Sequence, residues 1–207
     1  MGKTAMSIGV DIDGVLTDFE RFVNSHGIKY FKKTRNTQIV DPNGFDVDQV
    51  FGVSKKQLRK FWRKHCYSYC IAESARDGAS EVISALRREG KTITIITGRM
   101  KSYNKNLLGV LMRNSVKFWL WKNNIEYDKI IFCQENDNKV EICNDLGIEI
   151  IVEDKPQNIL AISKAIPTIC VDASYNRECC GENIFRVKDF AQMQYLISEI
   201  ADCREKK

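Results

Sequence analysis

Three aspartates near the start of the chain, Asp11, Asp13 and Asp18, follow an apolar run in the segment SIGVDIDGVLTDF. Side chains alternate between the two faces of a β-strand, so Asp11 and Asp13 would point the same way, roughly 6–7 Å apart in extended backbone. Two carboxylates at that distance repel each other and resist ionisation unless a cation or a proton lies between them. The spacing therefore predicts a site that holds something positive.

Further polar residues follow later apolar runs in the same manner. They are Thr97, Gly98 and Arg99 after TITIIT, Lys139 after KIIFC, and Glu153 and Asp154 at the end of IEIIVED. Lys139 is expected in the first turn of a helix capped by Asn138, where the helix dipole disfavours a cation. It is either a tolerated surface lysine or a cation that holds a nearby anion, and Arg99 either reaches a phosphate or forms a surface ion pair.

Five apolar runs position these residues. Near-continuous Val and Ile without alternation is typical of parallel strands that are covered on both faces. Helical periodicity separates the runs, most clearly in DGASEVISALRREG. The predicted strands are residues 6–11, 92–97, 129–133, 148–154 and 168–172, and further helices are predicted at 113–123, 138–146, 157–165 and from Phe190 to Ile200. This alternation predicts an α/β fold with a doubly wound parallel sheet, whose strands deliver the polar residues to one edge.

One segment interrupts the alternation between the first strand and the helix near Asp77. It is far longer than an ordinary strand–helix loop. We interpret residues 19–75 as a small, mostly helical cap inserted into a core made of residues 1–18 and 76–207. Its aromatic residues either stack on a substrate base or form the cap's own core; they are Phe19, Phe22, Tyr30, Phe31, Trp62 and Tyr67.

Composition limits the function classes. The chain has 207 residues, a net charge of +5 and 8 cysteines. No apolar run approaches the ~20 residues of a membrane span, and no signal-peptide pattern opens the chain, so a cytoplasmic protein without a membrane partner is expected. The cysteines are then expected to be free thiols, and the spacing of His65, Cys66 and Cys70 is poor for zinc. Nucleic acid is disfavoured as the main partner because no compact basic and aromatic module is present.

The polar segments as a set resemble a known superfamily. DIDGVLTD, IITGR, Lys139 in DNK and VEDKPQN resemble, in order and spacing, the four motifs of haloacid dehalogenase superfamily enzymes. Within that superfamily the chain is similar to bacterial nucleotidases akin to 5'(3')-deoxyribonucleotidases, which have a helical cap after the first motif and segments like EYDKIIF and SYNR. The resemblance covers nearly the whole chain.

The resemblance implies roles for the site residues. Asp11 would be the nucleophile that forms an aspartyl-phosphate, and Asp13 would protonate the leaving alcohol and then activate water. Mg²⁺ would be bound by the Asp11 carboxylate, the Asp13 backbone carbonyl and Asp154, as this ion prefers few protein ligands. Such a metal would offset the repulsion within the acid pair. Glu153 stands where relatives often have an aspartate and would ligate through water.

The remaining motif residues would bind the phosphoryl group. The Thr97 hydroxyl and the Gly98 amide would donate hydrogen bonds to its oxygens, and Arg99 either contacts the same oxygens or forms a surface ion pair. Lys139 would neutralise the charge of the phosphoryl group. Gly14 would give the turn after Asp13 its backbone freedom. Tyr175, Asn176 and Arg177 are candidates for the same edge.

The function expected from this resemblance is a Mg²⁺-dependent phosphomonoester hydrolase. Its substrate would be a small phosphorylated metabolite, with a nucleoside monophosphate favoured over a sugar phosphate or another small metabolite. A non-catalytic binding protein is disfavoured because Asp11, Asp13, Lys139 and Asp154 are all present. A dehalogenase is disfavoured because dehalogenases lack the acid that stands here at Asp13. The oligomeric state is left open.

Overall fold

A six-stranded parallel sheet forms the centre of the molecule in the computed structural model, which describes residues 5–35, 38–134 and 138–205. The strands lie in the order β3-β2-β1-β4-β5-β6. They are β1 (Ser7–Val10), β2 (Thr92–Thr97), β3 (Lys129–Phe132), β4 (Ile150–Glu153), β5 (Thr168–Val171) and β6 (Ile184–Val187). The chain progresses in one direction from β1 to β3 and in the other from β4 to β6. The predicted doubly wound α/β fold is confirmed.

The order of the strands determines where ligands bind. Because the winding reverses between β1 and β4, a crevice opens at the carboxyl ends of these two neighbours. Their register pairs Val10 with Val152, and the backbone amide of Asp11 donates to the carbonyl of Val152 over 3.1 Å. The residues after β1 therefore lie beside the residues that end β4.

Eight α-helices lie within the described ranges. They are α1 (Phe19–Arg35), α2 (Val47–Phe51), α3 (Lys55–Ala72), α4 (Ala79–Arg88), α5 (Leu107–Lys122), α6 (Lys139–Asp145), α7 (Pro156–Ile162) and α8 (Phe190–Glu205). In α4, Ala79, Val82, Ile83 and Leu86 are buried, as their spacing predicts.

The predicted boundaries need three corrections. The helix placed at 113–123 begins six residues earlier, because the Asn106 side chain accepts the amide of Gly109 and caps it. Strand β6 was not expected from the sequence, since it has four residues and includes the polar Arg186. Several predicted strands are also one or two residues too long at their ends.

Side chains of alternate strand residues build the two faces of the core. On one face Val10, Ile95 and Val152 pack with Trp119, and on the other Ile96 and Ile151 pack in a separate cluster. Burial of each such side chain contributes roughly 1.5–3 kcal/mol, so strands covered on both faces resist displacement. The sheet edge that carries the site is thus rigid.

The inserted segment forms helices α1 to α3 with an aromatic cluster of its own. Phe22, Phe31, Phe51 and Phe61 are buried in that cluster, and Met112 of α5 joins it. The segment begins and ends side by side, because Thr17 and Ala75 form an antiparallel bridge. We describe residues 19–75 as the cap; the proposed domain limits extend to residues 1 and 207, which lie outside the described ranges.

The cysteines agree with the expectation from composition. All 8 cysteines are free, and 6 of them are buried. In the described ranges, none of the helices combines the length and the apolar character that crossing a membrane requires.

Candidate active site

Asp11 lies at the bottom of the crevice, directly after β1. Only 8% of its surface is exposed, and its Oδ2 atom is 3.3 Å from Nζ of Lys139. Its Oδ1 atom is buried and has no hydrogen-bond partner among the described residues. Burial raises the pKa of Asp11 well above its ordinary value, although Lys139 opposes the shift. A buried carboxylate oxygen without a partner is costly, so this atom needs a ligand.

Gly14 allows the chain to turn closely over the site. Its φ of +81° lies in the left-handed region, which residues with a Cβ rarely adopt. A Cβ atom at this position would also overlap the carboxylate of Asp154. Both facts require glycine here, which agrees with the prediction from sequence.

Asp13 is held by the buried Arg99 in an ion pair. The Nε and Nη2 atoms of Arg99 lie 2.9 and 2.5 Å from Oδ1 of Asp13. The Arg99 side chain is 1% exposed, and its guanidinium lies 5.1 Å from the ring centre of Tyr69 and 5.5 Å from that of Trp119. The surface ion pair considered for Arg99 is therefore corrected: the pair exists, but its guanidinium is buried, its carboxylate is partly exposed, and it joins two motif residues.

Lys139 is held between two carboxylates. Its Nζ atom lies 3.3 and 3.2 Å from the two oxygens of Glu153, in addition to its contact with Asp11. Although burial lowers it, the pKa of Lys139 is raised on balance by Asp11 and Glu153. Asn158 also donates to Glu153. Lys139 is therefore a buried cation aimed at Asp11, and the tolerated surface position considered for it is wrong.

Asp154 lies beside Asp11 and contacts the loop after β5. The hydroxyl of Tyr175 donates to its Oδ2 atom, and Asn176 donates to its backbone carbonyl over 2.9 Å. Burial, followed by the charge of Glu153, raises the pKa of Asp154 to about 8, although Tyr175 and Lys139 lower it. Of the three candidates after β5, Tyr175 contacts the carboxylate of Asp154 and Asn176 contacts its backbone carbonyl, whereas Arg177 is exposed.

The carboxylates of Asp11, Glu153 and Asp154 form a set that suits a divalent cation. One oxygen of each lies within 4.8 Å of the others. Carboxylate oxygens are ligands that Mg²⁺ prefers, and the unpartnered Oδ1 atom of Asp11 gives such an ion a place. The raised pKa values of Asp11 and Asp154 are what closely spaced buried acids show when no cation lies between them. The residues present therefore fit the expected metal.

Thr97 and Gly98 lie at the neighbouring end of β2. Gly98 lines the crevice, whereas Thr97 is fully buried and its Oγ1 atom accepts the backbone amide of Arg99 over 3.2 Å. The two residues thus stand next to the acid pair in space. Their contacts with a phosphoryl group stay a prediction.

The cap forms the opposite wall of the crevice. Phe19 and Trp62 line it with parallel rings 5.9 Å apart, and the Trp62 indole donates to Asp46 over 3.1 Å. Of the other aromatic residues named from sequence, Phe22 and Phe31 belong to the cap's own core, and Tyr30 and Tyr67 pack against it. All six residues thus belong to the cap's own cluster or pack against it, and stacking of Phe19 and Trp62 on a base stays a prediction.

Several lining residues were not singled out from the sequence. They are Phe45, Asp46, Tyr69, Met100 and Asn158. Helical spacing could have identified Tyr69 from the sequence, because it lies on one face of α3 together with Trp62, Cys66 and Cys70. Asn158 could also have been identified from the sequence, since it lies in the first turn of the helix that follows β4. Phe45 follows the turn DPNG, and its position in the crevice depends on the tertiary packing of the cap.

Several solved structures with the same fold are described as phosphatases or as haloacid dehalogenase-like hydrolases. A structure described as a predicted phosphatase from Clostridium acetobutylicum has a TM-score of 0.62 at 17% identity and covers 95% of this chain and 100% of its own. A HAD-superfamily hydrolase from Ehrlichia chaffeensis has a TM-score of 0.53 at 13% identity, with coverage of 97% and 100%. At these identities the likeness shows the fold, which is that of haloacid dehalogenase enzymes.

Sequence comparison defines the family within that fold. The model of the family described as 5' nucleotidase, deoxy (pyrimidine), cytosolic type C matches residues 5–203, and the chain belongs to this family of phosphatases. A nucleotidase from C. acetobutylicum is 24% identical over 201 residues, covering 97% of each chain. A protein from Halalkalibacterium halodurans, provisionally named as a nucleotidase, is 26% identical over 193 residues, covering 92% of each.

Proposed function

We propose that this protein hydrolyses a nucleoside monophosphate with the help of Mg²⁺ and through an aspartyl-phosphate on Asp11. The observation that carries the proposal is the environment of Asp11: a buried carboxylate at a strand end, in contact with a buried lysine and beside two further carboxylates. A nucleophile in such a site can be ionised only with cationic help, which Lys139 supplies in part.

The chain's own residues account for the two chemical steps. A carboxylate oxygen of Asp11 attacks phosphorus while the ester P–O bond breaks, and Asp13 gives its proton to the leaving alkoxide. Asp13 then takes a proton from a water molecule that attacks phosphorus, and the bond to Asp11 breaks to release phosphate. Lys139 stays protonated and stabilises the charge on the transferred group. Mg²⁺, held by Asp11, Asp154 and the Asp13 carbonyl, would supply further charge neutralisation.

The cleft supports a nucleotide as the substrate. Phe19 and Trp62 contribute aromatic side chains to the lining of the same crevice as the acid pair, and Lys155 and Asp46 add polar groups to it. Aromatic rings of this kind stack on bases. A sugar phosphate or another small metabolite is the alternative substrate. We also propose that the protein is cytoplasmic.

Trapping of the phosphoenzyme tests the mechanism. Wild-type protein, Asp11→Asn and Asp13→Asn are quenched in acid during turnover of a ³²P-labelled nucleoside monophosphate. We expect label on the wild-type chain, none on Asp11→Asn, and slow formation and slow hydrolysis in Asp13→Asn, because only the first change removes the nucleophile. EDTA should abolish labelling and added Mg²⁺ should restore it.

The outcomes separate the parts of the proposal. Substantial turnover by Asp11→Asn would exclude the covalent route, and full activity after rigorous chelation would exclude the metal. A panel of nucleotides and sugar phosphates compared by kcat/KM decides the substrate class. Equal or higher values for sugar phosphates would overturn the nucleotide assignment without affecting the mechanism.

A further inference from the structure

A second cavity lies between helices α1 and α3 on the cap. It is lined by His26, Lys29, Tyr30, Lys33, Lys64 and His65. The four residues from α1 are spaced i, i+3, i+4 and i+7, so they share one face of that helix. Within the described ranges, none of the residues that line this cavity also lines the catalytic crevice. The cavity is therefore a separate feature of the cap.

Its charge is strongly positive. Lys29, Lys33 and Lys64 are exposed, and among the described residues none of them forms an ion pair with a carboxylate. The Nζ atom of Lys64 lies 5.5 Å from the ring centre of Tyr30, which directs it over the cavity wall. The cap segment 19–75 holds 11 Lys and Arg against 5 Asp and Glu, a net charge of +6, whereas the whole chain has +5. An anion is drawn to this part of the molecule.

His65 provides a second, independent observation. Its Nε2 atom is buried and has no hydrogen-bond partner in the described part of the chain. Burial, then His26 and Lys64, lowers the pKa of His65, so the imidazole is neutral at neutral pH and has one N–H to donate. The ring of His26 lies 5.5 Å from it. Two imidazoles are also ligands for metal cations, but three unpaired ammonium groups beside them disfavour a cation and favour an anion.

We propose that this cavity binds the phosphate group of a small phosphorylated molecule or free phosphate. Lys29, Lys33 and Lys64 neutralise its charge, and the Nε2–H tautomer of His65 donates to one of its oxygens. The site goes beyond the proposed hydrolase function, because it involves none of the motif residues and needs no turnover.

The two histidines give a selective probe of the site. The chain contains 2 histidines, and both line this cavity. In protein labelled with ¹⁵N-histidine, phosphate that binds in the catalytic crevice does not contact a labelled residue, because no histidine lines that crevice. The protein is titrated in EDTA with inorganic phosphate and, separately, with ATP, and the imidazole resonances are followed by NMR. We expect a saturable shift with at least one probe; saturation by ATP alone would assign the site to a larger phosphorylated molecule.

Matched variants show whether the cavity or the general charge of the cap is responsible. Lys33→Gln combined with Lys64→Gln should weaken binding about fivefold or more. Lys32→Gln combined with Lys60→Gln removes the same charge from exposed positions outside the cavity and should leave binding unchanged. Absence of a saturable shift with both probes, or equal weakening in both double variants, would overturn the proposal.

A polyanion is tested with a 20-nucleotide single strand of DNA. If the strand binds and both double variants weaken it equally, while phosphate and ATP shift neither histidine, the cap carries a general polyanion surface and the proposal fails.

Discussion

The pairing of Arg99 with Asp13 gives this arginine a role that its position in the motif did not reveal. Its guanidinium contacts the Asp13 carboxylate twice and is enclosed by the rings of Tyr69 and Trp119. A planar cation that donates two hydrogen bonds to one carboxylate oxygen fixes its position more firmly than a lysine would. Arg99 is thus placed to orient Asp13, the acid that we propose protonates the leaving group.

Substitution of Arg99 by lysine distinguishes orientation of Asp13 from phosphate binding. If Arg99 orients the acid, kcat for a nucleoside monophosphate should fall about a hundredfold, whereas p-nitrophenyl phosphate should lose far less, because its leaving group needs little protonation. KM should change little for either substrate. A uniform rise in KM for both esters at unchanged kcat would instead assign Arg99 to the phosphate, as the motif resemblance implied.

At the scale of elements, the acidic residue Asp128 joins the start of β3 to β2 and α4. The side chain of Asp128 accepts the backbone amide of Ile93 over 2.8 Å and binds Arg87 in the last turn of α4 over 2.7 Å. Its own backbone amide donates to the carbonyl of Ile93. These bonds lie at the end of the sheet opposite Thr97 and Gly98, so they support the register that places those residues in the crevice.

Asp128→Asn should lower the free energy of unfolding at pH 7 by about 1–2 kcal/mol, through weakened hydrogen bonds with Arg87 and Ile93. The bond to Arg87 lowers the pKa of Asp128 in the folded state, so this stabilisation is present above the unfolded value near 4 and is lost as pH falls below it. The difference between wild type and variant in urea denaturation should therefore shrink from pH 7 to pH 3.

Glu126→Gln is the matched control for that prediction. Glu126 also binds Arg87, over 2.8 Å, but its side chain is 57% exposed and no bond from it to the sheet backbone is found in the described residues. An exposed ion pair contributes little, so the loss should stay below about 0.5 kcal/mol. Equal losses in the two variants would contradict the importance of the bond to Ile93.

At the scale of the whole molecule, the cap is joined to the core on both sides of the crevice. Ser174, in the loop after β5, donates to Glu20 of α1 and to the carbonyl of Pro42, and Phe45 packs against Tyr175 at 5.0 Å. On the other side Met112 of α5 joins the aromatic cluster of the cap. The aromatic wall is thereby held over the acid pair, as a selector of substrates requires.

Two conservative substitutions on α3 test whether the cap selects substrates. Trp62→Phe removes the indole that lines the crevice and donates to Asp46, and should change the ratio of kcat/KM among nucleoside monophosphates about three- to tenfold while p-nitrophenyl phosphate changes little. Tyr67→Phe alters an aromatic residue of the same helix that does not line the crevice and should leave the ratios unchanged. If both variants depressed every substrate equally at unchanged stability, the cap would act as a lid without selecting substrates.

The sequence by itself determined the sheet and the acid pair. Apolar runs such as TITIIT have one stable location, the middle of a parallel sheet, because only there are both faces covered. Once the strands are known, Asp11, Asp13, Thr97 and Asp154 must gather at the carboxyl edge. The motif spacing also indicated the family, since DIDGVLTD depends on a local turn that requires Gly14.

The tertiary structure alone decided the pairings across the site and the surfaces of the cap. Arg99 is 86 positions from Asp13, and no local pattern encodes which carboxylate a buried guanidinium will meet. Likewise, the packing of α1 on α3 determined that Trp62 lines the crevice, that Phe31 lies in the cap core, and that His26 and His65 share one cavity. Side chains with the same local spacing acquire different surroundings, because burial depends on which helix packs against them.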